Sequence, residues 1–257
     1  MNKQKWPQFN ESMKYSYDYK NKKTKLEQWH IIEARYLEYK SREVQAQKIP
    51  KIVHQIWLGG NMPESEQKMV DQVRTNLDKD WTHILWTEDN IHNLKNFENK
   101  ELYNETPNYG QKSDLLRYNI LNEIGGVYMD TDFILLNQFN ELLDLDFFCG
   151  VAYDDQPSLF NGLMGCSPGN NLVSDLLKLD RPLMYHDAMK LMDSTGPFFL
   201  TRKVFKYIKN NKDICVLPNS FFYPLPNFDR SKSKGSDYRN YIEGESICCH
   251  MWSSSWM

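Results

Sequence analysis

The sequence predicts an α/β protein with a mostly parallel central sheet, and three observations predict it. Short apolar runs alternate with helical patterns from about residue 48 onward, the arrangement that builds parallel sheets. The stretch from Gln111 to Leu136 packs a helix, a glycine break and a strand into one short unit. Hydrophobic residues at 40% and aromatics at 14%, over 257 residues, suffice for one large domain with a full core.

Residues 1–24 are polar, aromatic and lysine-rich without a clear period. From Lys25 to about Gln47, Trp29, Ile32, Tyr36 and Tyr39 recur at helical spacing. Residues 1–47 therefore read as a helical extension of a catalytic domain at 48–257. Pro50 ends the extension, and Lys51 to Leu58 reads as the first buried strand. Gly59-Gly60 follows it and lacks the G-x-G-x-x-G pattern of dinucleotide-binding enzymes. Ligands in α/β sheets bind beyond the carboxyl ends of strands. Ile56 and Trp57 stand there, where the indole could stack on a base and the backbone could read its edge; a core tryptophan is the plain alternative.

Pro63 to Leu77 reads as a helix, Trp81 to Thr87 as the second strand, and Glu88 onward as a helix capped by Thr87. Asn96 to Gly110 reads as a loop. Ser113 is a good N-cap for a helix whose apolar face is Leu116, Ile120, Leu121 and Ile124. Gly125 stops it, and Val127 to Met129 forms a strand that delivers Asp130-Thr131-Asp132 to a loop before Phe133 to Leu136. Phe147 to Ala152 is the next strand, followed by a solvated Tyr153-Asp154-Asp155. Asn161-Gly162 lies inside an apolar run, which reads either as close approach of a ligand or as a β-turn. Asn170 to Leu179 and Phe198 to Lys209 are helices, the second preceded by Thr195-Gly196-Pro197, whose last two residues fix backbone shape. Ile214 to Leu217 is a strand, and Phe221 to Pro226 an aromatic, proline-rich wall. Arg230 to Arg239 reads as a charged, mobile loop, and Ser246 to Met251 as the last strand.

Charge is unevenly spread. Residues 1–51 hold twelve Lys or Arg against six Asp or Glu, a surplus of six positive charges, which leaves −9 elsewhere for a total of −3. A net negative chain is not a general nucleic-acid binder. The basic start reads as a solvated helix face, or as a peripheral contact with an anionic membrane. No apolar run is long enough to span a bilayer and no signal-peptide core stands at the N-terminus. Five cysteines without a C-x-x-C pattern read as buried, reduced side chains. The expectation is a cytoplasmic protein.

Asp130 and Asp132 offer hard oxygen ligands at a strand end, suited to Mn²⁺ or Mg²⁺ with positions left for substrate phosphates. Asp114 and Arg117, three apart, share a helix face; one can accept from hydroxyls and the other donate to oxygens, or the two simply pair with each other.

Together IPKIVHQIWLGG (from Ile49), SDLLRYNIL (from Ser113), GGVYMDTD (from Gly125) and HMWSSSW (from His250) resemble a DXD-motif glycosyltransferase family. It includes yeast-type initiating mannosyltransferases and bacterial capsular polysaccharide transferases, and is related to clostridial glucosylating toxins. The resemblance covers about four fifths of the chain in the family's order. It implies a GT-A type nucleotide-sugar-binding fold and metal-dependent, retaining transfer of a hexose to a glycan or glycolipid hydroxyl. A UDP-sugar is the favoured donor and GDP-mannose the second. The implied metal ligands are Asp130, Asp132 and His250. The implied donor contacts are Ile56, Trp57, Ser113, Asp114, Arg117, Tyr128, Asp130, Asn161, Ser255 and Trp256, the last two in a C-terminal loop, Trp252 to Met257, that closes over the diphosphate. Asp114, Arg117, Asp130 and Asp132 are the catalytic set. The rival readings are a toxin-like transferase acting on a host protein, a non-catalytic sugar-nucleotide binder, and a hydrolase with clustered acids.

Overall fold

The computed structural model describes residues 3–15, 19, 26–153, 158–179 and 188–253. In chain order the helices are α1 (Phe9–Ser12), α2 (Glu27–Ser41), α3 (Glu64–Asn76), α4 (Lys100–Glu105), α5 (Tyr109–Ile124), α6 (Asn171–Leu176), α7 (Ala188–Ser194), α8 (Pro197–Tyr207) and α9 (Asn219–Phe222). The strands are β1 (Ile52–Ile56), β2 (Thr82–Trp86), β3 (Gly126–Met129), β4 (Phe133–Leu135), β5 (Phe147–Tyr153), β6 (Ser158–Cys166), β7 (Ile214–Leu217) and β8 (Cys248–His250). Six strands form one sheet in the order β2-β1-β3-β6-β5-β7. The β1–β2, β1–β3 and β5–β7 pairs are parallel, and β6 runs antiparallel between β3 and β5. A separate antiparallel pair, β4 and β8, sets Phe133 opposite His250.

The central stretch folds as its pattern dictates, with one shift. Helix α5 starts four residues before Ser113, because the Asn108 side chain accepts from the Gln111 amide (3.0 Å) and caps it. Ser113 is thus inside the helix. Its end is at Gly125, whose φ of 70° is the conformation a glycine adopts freely.

Three other expectations are corrected. The helix expected from Glu88 is only a turn and a 3₁₀ segment at Ile91–Asn93. Asn90 accepts from the Thr87 amide (2.9 Å) and donates to the Leu85 carbonyl (2.9 Å), and such local bonds compete with a helix. The expected loop at 96–110 contains α4. Residues 230–239 carry 3₁₀ helices, with Tyr241 donating to Asp229 Oδ2 (2.6 Å). Asp154 and Asp155 lie outside the described residues.

The extension packs on the sheet domain through the stripe its sequence announced. Trp29, Ile32, Tyr36 and Tyr39 are fully buried, and Trp6 stacks near Tyr36 and Phe221. The uneven charge resolves here as well. Lys3 pairs with Asp144 (3.5 Å), Arg42 with Asp144 and Asp213, Lys48 with Asp146 (2.9 Å) and Asp213 (2.6 Å), and Lys14 with Glu243 (3.4 Å). Described cations of the basic segment thus meet acids of the remainder.

Asp144 is the anchor, since it also takes the Tyr39 hydroxyl (2.5 Å) and the Gln45 amide (2.9 Å). Removing it strands Lys3, which is 3% exposed, beside Arg42. Asp144→Ala should therefore lose about 3–5 kcal/mol of stability, measured by urea unfolding. A loss within about 0.5 kcal/mol, as at an ordinary surface position, would show that Asp144 anchors nothing.

Candidate functional site

The site begins with how closely β3 lies on β1. At Gly126 an added Cβ would fall 2.7 Å from the Ile52 carbonyl and 3.0 Å from His54 Nε2, so only glycine fits. Trp86 Nε1 donates to His54 Nδ1 (3.1 Å), which leaves His54 Nε2–H to donate to the Gly125 carbonyl (2.9 Å). Burial pushes this histidine down to about 4, so it stays neutral and fixes the turn. One residue later on β1, Gln55 donates to the Asp130 carbonyl (3.1 Å), and the Asp130 amide donates to the Gly162 carbonyl (2.8 Å). The first acid is therefore positioned by its backbone on both sides.

Asp130, Asp132 and His250 each offer a ligand atom, all within 4.8 Å of one another. His250 Nε2 lies 3.0 Å from Asp132 Oδ1, and its Nδ1 is buried without a partner among the described residues. Asp132 Oδ2 accepts from the Ser253 amide (2.9 Å) and hydroxyl (3.3 Å). Burial would push Asp132 up, but the His250 charge and hydrogen bond, with the Ser253 donors, hold it below the usual range. Asp130 is pushed up by burial, against the pull of Arg117 and with the repulsion of Asp132. Its side chain is 31% exposed against 12% for Asp132. Two carboxylates and one imidazole, open at Asp130, fit a divalent cation with positions left for substrate oxygens.

Asp114 and Arg117 lie behind this triad, only 6% and 5% exposed. Arg117 is within 3.4 Å of Asp114 Oδ1 and 3.3 Å of Asp130 Oδ1, donates to the Asn161 carbonyl (2.7 Å), and lies over the Tyr128 ring at 4.4 Å. Tyr128 donates to Asp130 Oδ1 (2.6 Å). Asp114 accepts from Asn161 Nδ2 (2.7 Å) and Thr195 Oγ1 (2.9 Å). Burial pushes Asp114 up to about 6 despite Arg117 and these donors. Asn161 also donates to the Tyr118 hydroxyl (3.1 Å). It lies inside β6, so the β-turn alternative is wrong.

The remaining expected residues fall nearby or elsewhere. Ile56 is buried at the end of β1, and Trp57 is half-buried with Nε1 donating to the Gly60 carbonyl (2.9 Å). Ser113 is half-buried, its carbonyl accepting from Arg117 Nε (3.2 Å). Trp252 is no lid residue: it is 7% exposed, donates to the Leu225 carbonyl (2.8 Å), and packs edge-on to His250 at 4.1 Å. Ser254, Ser255, Trp256 and Met257 lie outside the described residues. Phe221, Phe222 and Leu225 are fully buried in the core. A cavity of about 510 Å³ has none of Asp130, Asp132 and His250 in its lining, where Arg202 donates to the Asp193 carbonyl (2.9 Å), so cavity size does not locate the site.

Sequence reasoning missed Thr195, whose neighbours drew attention to backbone shape, and Gln55, a polar residue on a buried strand. It also missed the partner of Gly162. An added Cβ there would lie 2.6 Å from Asp130 Oδ2, so the close approach signalled by that glycine is to the carboxylate.

The family described as glycosyltransferase sugar-binding region containing DXD motif matches residues 63–148. An uncharacterized glycosyltransferase of Acanthamoeba polyphaga mimivirus is 32% identical over 187 residues, covering 68% of this chain and 73% of the relative. Inositol phosphoceramide mannosyltransferase 1 of Schizosaccharomyces pombe is 28% identical over 193 residues, covering 70% of this chain and 59% of the relative. The chain thus spans less than two thirds of that yeast protein. The ligand-free glycosyltransferase domain from the YGT toxin superposes with a TM-score of 0.50 at 11% identity, covering 77% of this chain and 88% of that domain. This last likeness concerns the fold, which is of the GT-A type.

Gly162→Ala should displace Asp130 and weaken Mn²⁺ binding by about tenfold or more, read by titration calorimetry, with the fold retained. Unchanged Mn²⁺ affinity would separate Asp130 from the cation. A second outcome follows from Asp114. Its folded value, about 6, exceeds the ordinary 3.8, so folding favours the protonated form. Its contribution is greatest below the ordinary value and is lost as pH rises toward about 6. In metal-free buffer, urea unfolding of Asp114→Asn should therefore gain on the unsubstituted protein between about pH 4 and 6. Parallel stability curves would contradict this.

Proposed function

The chain belongs to the glycosyltransferases that carry a DXD sugar-binding region, and from that premise we propose that it moves a hexose from a nucleoside diphosphate sugar to a hydroxyl acceptor, with retention and with a divalent cation. The convergence of Asp130, Asp132 and His250 on one point at a strand end carries the proposal. These three would hold Mn²⁺ or Mg²⁺, which when bound neutralises charge on the departing diphosphate. Arg117 keeps Asp130 ionised and aimed outward. Asp114, fixed by Asn161 and Thr195, keeps further lone pairs for donor hydroxyls. Trp57 stacks on the base, and Ser253, bonded to Asp132, ties the C-terminal segment to the diphosphate end. A donor phosphate oxygen assists deprotonation of the acceptor.

The boundary at 47/48 divides the extension from the catalytic part, and five free thiols fit a reducing, cytoplasmic setting. No helix among the described residues is long and apolar enough to cross a membrane. The yeast relative is named for mannosyl transfer to a phosphoinositol ceramide, which supports a hexose donor and a glycolipid acceptor. A UDP-sugar remains the first donor to test and GDP-mannose the second.

The test is a screen of UDP- and GDP-sugars for Mn²⁺-stimulated hydrolysis, with nucleotide-induced shifts in Tm. At least one nucleotide should raise Tm only with a divalent cation. Asp132→Asn should abolish turnover while remaining folded, and Trp57→Ala should shrink the Tm shift. Full turnover in Asp132→Asn, or no shift with either nucleotide and any cation, would overturn the reading.

A further inference from the structure

The ladder between β1 and β3 ends before the acids are reached. It stops at His54 opposite Tyr128, whereas β1 stays paired with β2 as far as Ile56 and β3 with β6 as far as Met129. Beyond that point a side chain takes over from the backbone: Gln55 Nε2 donates to the Asp130 carbonyl at 3.1 Å. Gln55 Oε1 in turn lies 2.8 Å from Nε2 of His83, a half-buried residue of β2. Two consecutive hydrogen bonds therefore run from β2, through β1, to the backbone of the first acid.

Gln55 is fully buried. Glutamine is mostly exposed in folded proteins, so a buried one is kept for the bonds it makes. Chemistry fixes the direction of both bonds. The Asp130 carbonyl only accepts, so the amide must turn its nitrogen toward it. Oε1 then faces His83 and also only accepts, so His83 Nε2 carries the proton. Burial, reinforced by the Arg74 charge and opposed by Asp71, pushes His83 down to about 4. The ring is thus neutral near neutral pH, with its one proton on Nε2. A reversed amide would set two oxygens together at Asp130 and two donors together at His83.

We propose that Gln55 and His83 are positioning residues for the cation site. His83 orients the Gln55 amide, and the amide holds the Asp130 backbone so that its carboxylate meets Asp132 and His250. Neither side chain acts on the cation directly: Gln55 touches the Asp130 carbonyl, and His83 touches Gln55. On its other side Asp130 is held by backbone, through its amide and the Gly162 carbonyl (2.8 Å). Gln55 is therefore the point at which a side-chain substitution can loosen the first acid without altering the acid itself. The assignment rests on the reading that Asp130, Asp132 and His250 hold a divalent cation.

Mn²⁺ alone is titrated into the full chain by calorimetry, with Tm measured for every variant. Gln55→Met keeps the side-chain length and removes both hydrogen bonds. His83→Phe keeps a ring and removes the donor, and His83→Gln returns an N–H donor at similar reach. Gln55→Met and His83→Phe should each weaken Mn²⁺ binding by about tenfold, the usual loss for a group that orients a ligand. His83→Gln should recover most of that loss. A residue that only supports the fold would lower Tm and leave the affinity of the folded chain unchanged. Unchanged affinity in either folded variant, or equal weakening by His83→Phe and His83→Gln, overturns the proposal. If Gln55→Met does not fold, the two His83 variants, at a half-buried position, decide it. Absence of Mn²⁺ binding by the unsubstituted chain would overturn the cation reading and this inference together. Binding that the variants leave intact would overturn this inference alone.

Discussion

Two carboxylates and an imidazole whose ligand atoms gather within 4.8 Å at the end of a buried strand are the demand that the rest of the site answers. Like charges so close repel strongly where water is scarce. Arg117 answers from α5, placing its guanidinium within 3.3 Å of Asp130. The Tyr128 hydroxyl answers from β3, and the Ser253 amide and hydroxyl answer at Asp132. The two acids are pushed in opposite directions, Asp130 up and Asp132 down, so they share the strain unequally. With His250 beside them, the two acids form a donor set that fits a divalent cation.

Close approach of backbones makes this possible. Gly126 lets β3 lie against β1, and Gly162 leaves room for the Asp130 carboxylate between β3 and β6. His54, neutral and bonded at both ring nitrogens, links the strand end to the turn before it. On the other side, Trp252 takes up a φ of 56° two residues after His250, and the chain then brings Ser253 onto Asp132. The β4–β8 pairing thus carries His250 to the two acids, and the Met251 amide extends it by donating to the Asp132 carbonyl (2.8 Å).

The extension is held by the same physics with the opposite aim. Its Lys3, Lys14 and Arg42 meet Asp144, Asp213 and Glu243, and its aromatic stripe enters the core. Charge imbalance that sequence alone assigns to solvent or to a membrane is, for these residues, an internal clamp. The outcome depends on which acids face it, and composition does not record that.

Much was nevertheless legible. Apolar periodicity located α2, α3, α5 and α8, and short β-branched runs located β1, β2, β3 and β7, because burial selects residues by spacing along the chain. The glycine pair and the two acids were legible because turn conformation and ligand chemistry are properties of residue type. Local competition hid the rest: Asn90 broke an expected helix, and Asn108 started another early. The sequence by itself determined the α/β class, the strand that ends in Asp130 and Asp132, and the stripe that docks the extension. Only the tertiary structure decided that Asn161 and Thr195 face Asp114, that Gly162 makes room for Asp130, and that Trp252 is pinned. Each of these joins residues at least thirty positions apart, or in Trp252 the strand and the segment before it. Local pattern cannot encode such pairings, because they depend on which backbones the sheet brings together.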